Sequence, residues 1–134
     1  NEIICGLIFD PIKDELFYAE KNNGAFFNNQ RIRVSKKKKI DECLFAVVKL
    51  VSETDLSCRR SGSAALDLAY VASGRYDGYF QNNLNLWDIA AGIILIKEAG
   101  GIINKIDLSS LKNIKVLASS AEINEKFIKK MDNF

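Results

Sequence analysis

Histidine is absent from this 134-residue chain. That excludes Ser-His-Asp and Cys-His catalysis, and every histidine-based metal site, from these residues. Cysteine is sparse: Cys5, Cys43 and Cys58 are odd in number and too scattered for a zinc site, so they read as reduced thiols of a cytoplasmic protein. No apolar run reaches the roughly 18 residues of a membrane span. The chain opens Asn1-Glu2-Ile3 with no basic n-region, so no signal peptide is expected, and without an initiator methionine the start reads as a trimmed or an internal end. Neither sign of charge dominates, and a net charge of +2 gives no strong pull toward nucleic acid or membrane. What is left for chemistry is carboxylates, hydroxyls, backbone amides and a hard cation.

The hydrophobic content of 48% is that of a globular protein, and the length suits one domain or a large piece of a bigger one. The first third reads as antiparallel strands. Ile3 to Phe9 is apolar and ends at Asp10-Pro11, a turn signal. Glu15 to Glu20 is strand-like, Lys21 to Gly24 suits a hairpin turn with positive φ, and Gly24 to Phe27 returns. Asn28 to Gln30 turns again, Arg31 to Val34 alternates with period two, and Cys43 to Val51 is a further apolar strand. The basic run Lys36 to Lys39 lacks interleaved aromatics, which favours a solvated linker over an anion or nucleic-acid contact.

Helices then enter. Ser63 to Ser73 carries Ala65, Leu68, Ala69 and Ala72 on one stripe, with Gly74 just past its end. Asp77 to Phe80 is a turn into a short strand. Trp87 to Ala99 is apolar nearly all round, which predicts a buried helix stopped by Gly100-Gly101. Gly101 to Ile106 and Lys115 to Ser119 read as strands, and Ala121 to Met131 as a closing amphipathic helix. The expected fold is a layered α/β structure, antiparallel strands first and alternating helix and strand after. Residues 1–51 hold the remaining strands of a first antiparallel sheet, and residues 52–134 form an α/β subdomain.

Two segments invite chemistry. Asp88, beside Trp87 at the mouth of the apolar helix, is either an N-cap accepting first-turn amides or a metal ligand on a rigid element. Arg60 to Ala65 begins the other helix. Gly62 lets a ligand approach the backbone, and outward N–H groups of Ser63 and Ala64 would make an anion site; the plainer alternative is an ordinary serine cap. Asp67 reads as a first-turn partner of the helix dipole.

The chain resembles the C-terminal half of the inositol monophosphatase family, most closely its bacterial extragenic-suppressor branch. The matching stretches are Gly6 to Pro11, Asp14 to Phe17, Ala19 to Phe26, Arg31 to Ser35, Arg59 to Tyr70, Gly74 to Gly78, Trp87 to Gly92 and Glu98 to Gly101, in family order. The resemblance implies a Mg²⁺-dependent phosphomonoesterase acting on a small phosphate monoester, with a hard cation on carboxylates doing the work histidine would do elsewhere. It implies that Asp88 binds metal and substrate, that Gly62, Ser63 and Ala64 contact substrate, and that Gln81 stands at a substrate-binding position. It also implies dimers.

The chain departs from the family in three places. The main metal site, a Gly-Glu-Glu segment and an Asp-Pro-x-Asp-Gly-Thr segment, is absent; Asp10-Pro11-Ile12-Lys13-Asp14 is followed by Glu15-Leu16 and is assigned to a turn. Gln81 replaces the usual glutamate and loses its charge. The stretch from Lys49 to Cys58 is short, where the family has a longer helical segment. One aspartate does not hold Mg²⁺ usefully, so the chain alone is expected to be inactive. Three readings follow: part of a hydrolase whose N-terminal half is missing here, a non-catalytic partner of transcription machinery or RNA, or an inactive remnant. Of these the hydrolase reading is preferred. An open strand edge near residues 3–9 predicts a homo-oligomer, and neither a membrane nor a nucleic acid is the expected partner.

Overall fold

A computed structural model describes residues 1–47 and 55–132. The expected end of the strand at Val51, and most of the shortened stretch from Lys49, lie outside the described residues. The chain forms four layers, alternately sheet and helix, as the α/β reading expects.

The first sheet is an antiparallel meander in the order β1-β2-β3-β4: β1 Cys5–Asp10, β2 Glu15–Glu20, β3 Gly24–Phe27 and β4 Gln30–Ile32. Its second and third turns carry asparagine at positive φ. Asn22 precedes Gly24 with φ of 66°, and Asn28 and Asn29, with φ of 44° and 67°, close the two-residue loop between β3 and β4. The Asp10 carboxylate accepts from the backbone N–H of Ile12 at 3.0 Å and of Lys13 at 3.4 Å, so it builds the turn it was assigned to.

The second sheet is mixed, in the order β6-β5-β7-β9-β8. β5 Leu44–Val47 lies parallel to β6 Ser57–Arg59 and to β7 Gly78–Leu84. β9 Ile114–Ser119 runs antiparallel to β7 and to β8 Ile102–Ile103. β5 therefore pairs within the second sheet, although the expected partition at residue 51 grouped it with the first. β8 is much shorter than the expected Gly101 to Ile106: from Asn104 the chain leaves the sheet, held by Leu117 N–H donating to Asn104 Oδ1 at 2.7 Å.

Helices α1 Ala64–Ala72 and α2 Leu86–Glu98 lie between the sheets. They pack Leu68, Ile89 and Leu95 among Ile8, Phe17 and Ala25 on one side and Ala46, Tyr79 and Val116 on the other. α2 is buried as its sequence predicts, through Ile93 to Ile96. Both helices end in the same way. At the end of α1, Gly74 (φ 79°) donates to Val71 O and Arg75 to Tyr70 O; at the end of α2, Gly100 (φ 84°) donates to Lys97 O and Gly101 to Ile96 O. α3 Asn124–Met131, led in by a 3-10 turn at Ala121–Ile123, covers the far face of the second sheet, setting Phe127 and Met131 on Phe45, Phe80 and Leu117.

Candidate functional site

A cavity of about 350 Å³ opens where β6 passes into α1, where β7 ends and where α2 begins. Three elements meet there, from two stretches of chain, residues 60–67 and 81–88. The loop into α1 brings Arg60, Gly62, Ser63, Ala64, Ala65 and Asp67; β7 brings Gln81 and Leu84; the first turn of α2 brings Asp88. All five residues expected at the site thus line one cavity.

The start of α1 is shaped by two serines. Ser63 is the N-cap, its hydroxyl accepting from Leu66 N–H at 3.2 Å. Ser61 Oγ accepts from Ser63 N–H at 3.2 Å and donates to Asp67 Oδ1 at 2.6 Å. The Ser63 N–H expected to face a ligand is therefore spent inside the loop. The donors left without a partner among the described residues are Ala64 and Ala65 N–H, at the positive end of α1. Gly62 sits between the serines at φ 88°, in the left-handed region, with nothing within 4 Å of where a Cβ would stand.

Asp88 is not the cap of α2. Asn85 occupies that position, and Asp88 stands three residues inside, exposed, its Oδ2 accepting from Asn85 Nδ2 at 3.4 Å. The cap reading fails because the helix starts one residue earlier than Trp87, which turns the carboxylate outward to the cavity. Trp87 itself is 62% exposed.

Asp67, read from sequence as a dipole partner, is buried at the cavity wall. Burial pushes its carboxyl above the usual range, and the Ser61 hydrogen bond opposes that shift. Tyr79 was not singled out at all. It is fully buried, and its hydroxyl donates to Gln81 Oε1 at 2.5 Å. Burial, then the charges of Asp67 and Asp88, push its phenol up, so it stays a donor. The signal was available: Tyr79 and Gln81 are two apart on one strand and so share a face.

The basic run Lys36 to Lys39 is exposed, as a solvated linker would be, and two of its lysines make ion pairs. Lys37 Nζ lies 3.3 Å from the buried carboxylate of Asp77, and Lys39 Nζ lies 3.9 Å from Glu42.

The inositol monophosphatase family profile matches residues 1–133. The chain is 38% identical over 147 residues to an inositol-1-monophosphatase of Mesorhizobium japonicum, covering 96% of this chain and 55% of that protein. It is 36% identical over 149 residues to the Nus factor SuhB of Haemophilus influenzae, covering 98% of this chain and 56% of that one. The crystal structure of the extragenic suppressor protein suhB from Bartonella henselae superposes with a TM-score of 0.86 at 38% identity, covering 96% of this chain and 58% of that one. A layered α/β chain with a polar cavity at two helix starts is thus a member of the inositol monophosphatase family. It spans a little over half the length of these relatives.

Proposed function

We propose that this chain is the substrate-binding portion of a phosphomonoesterase that hydrolyses a sugar or inositol phosphate with Mg²⁺. One observation carries the reading: a single cavity brings Arg60 and the unpartnered amides of α1 together with Asp88 and Gln81. Amides at a helix start and a neighbouring guanidinium suit a phosphate. Gly62 leaves the backbone open to it, with Ser63 and Ala64 forming that wall. Asp88 and Gln81 face the rest of the ester.

The cation is the incomplete part. Mg²⁺ takes oxygen ligands, commonly one or two carboxylates together with substrate phosphate and water. Asp88 is exposed and lightly held, so it suits one such position. Asp67 is engaged by Ser61 and disfavours its own charge. Among the described residues no group of three or more His, Cys, Asp or Glu side chains could hold a metal ion. On this reading the remaining ligands come from the part of the relatives' length that this chain does not span, and these residues alone complete no catalytic step.

The test is phosphate release from inositol 1-phosphate, with and without Mg²⁺, by the chain and by its Asp88→Asn variant. Neither is expected to turn over. Robust Mg²⁺-dependent release by the chain would overturn the claim of incompleteness, and its loss in the variant would place a working site across two copies.

A non-catalytic role remains the second reading, supported by the same shortage of ligands and by exposed Leu7, Phe9 and Trp87, which suit a protein partner better than RNA. Relatives are named Nus factor, which makes transcription machinery a candidate. Binding that persists at raised salt would favour a protein over a nucleic acid. We further expect a cytoplasmic homo-oligomer.

A further inference from the structure

Tyr79 and Gln81 form a hydrogen-bonded pair beside the cavity. The Tyr79 hydroxyl is a buried donor, and a buried donor left without an acceptor is costly. Among the described residues its partner is Gln81 Oε1, at 2.5 Å. The carboxamide is therefore not free to turn. Its oxygen is held toward Tyr79, which leaves the NH₂ group as the end of this cavity-lining side chain that can meet a ligand. With no charge and its oxygen turned to Tyr79, Gln81 presents a ligand chiefly with N–H donors. The acceptors of the same cavity, Asp67 and Asp88, stand on other walls, on α1 and α2.

We propose that Tyr79 is a positioning residue that makes the Gln81 side of the cavity a hydrogen-bond donor, selecting phosphate esters that carry an acceptor group there, a carboxylate above all, over plain polyol phosphates. The proposal rests on the phosphate reading for the ester itself but not for the Gln81 donor. A polyol hydroxyl can accept from the amide too, but a carboxylate accepts more strongly and has no proton to satisfy.

The full chain would be titrated, with backbone and side-chain amide NMR shifts as readout, against 6-phosphogluconate, sorbitol 6-phosphate and unphosphorylated gluconate. Expected is binding of the sugar-acid phosphate about tenfold tighter than the polyol phosphate, a difference of about 1.4 kcal/mol, with the Gln81 NH₂ protons moving downfield. Gln81→Glu should reverse the order by charge repulsion. Tyr79→Phe, which keeps the ring and removes the hydroxyl, should bring the two affinities together because the amide is then free to turn. Equal affinities in the unaltered chain, or a preference that survives Tyr79→Phe, would overturn the proposal. If neither ester moves the Ala64 and Ala65 amides but gluconate still moves the Gln81 NH₂ signals, the phosphate reading falls and the donor assignment stands. If no probe moves those signals, the donor assignment falls.

Discussion

At the scale of the residue, Asp67 shows how a helix start is converted to a cavity wall. Its backbone N–H donates to Ser63 O and its carboxyl is tied to Ser61, so the side chain folds back over the first turn instead of reaching solvent. Burial raises its pKa above the ordinary carboxylate value. Between the ordinary value, about 4, and the raised one, the folded chain keeps a proton that the unfolded chain has released. Stability contributed by this group is thus full at low pH and falls as pH rises through that window. Asn at this position accepts the same Ser61 bond without titrating. Urea denaturation from acid to neutral pH should show Asp67→Asn gaining on the unaltered chain as pH rises, with the gap closing in acid. A difference that is the same at every pH would remove the titration from the explanation.

At the scale of the element, the close approach of α1 and α2 depends on a missing side chain. A Cβ at Gly92 would lie 2.4 Å from Leu68 Cδ1 and 2.7 Å from Leu68 Cβ. Leu68 is fully buried, so it has little room to yield. Gly92→Ala is expected to cost about 1–3 kcal/mol, the usual range for overpacking, read as a lower urea midpoint with unchanged slope. The elements themselves were largely legible. Asparagines and Gly24 announced the hairpin turns, and Gly74 and Gly100 announced helix ends, because positive φ restricts the residue type there. β6 was not legible, since Ser57-Cys58-Arg59 carries no apolar alternation and is a strand only by pairing with β5. The site was legible as types of residue but not as roles. Asp88 and Gln81 were found, whereas the cap fell to Asn85 and the orientation of Gln81 came from Tyr79, both of which depend on tertiary packing.

At the scale of the whole molecule, the first sheet is apolar on both faces. Its inner face carries Ile8, Phe17, Ala19 and Ala25 into the core. On the outer face Leu7 pairs with Tyr18 and Phe9 with Leu16, and Tyr18 continues to Phe26. Leu7 is 56% exposed and Phe9 50% exposed. β1 is also an edge of its sheet, with one side unpaired among the described strands. A sheet apolar on both faces is normally covered on both, and the relatives carry over 40% of their length beyond the region they share with this chain. In these residues by themselves, the outer face and the open edge favour a second copy of the chain. Sedimentation across a concentration series should show self-association that raised salt does not weaken, because the contact is apolar. Leu7→Lys with Phe9→Lys places two charges on that face while leaving the inner core untouched, and should leave the chain monomeric. A monomer at every concentration without these changes would show that Leu7 and Phe9 are tolerated as bare surface. Association that persists in the double variant would place the contact elsewhere, with exposed Trp87 in the first turn of α2 the next position to alter.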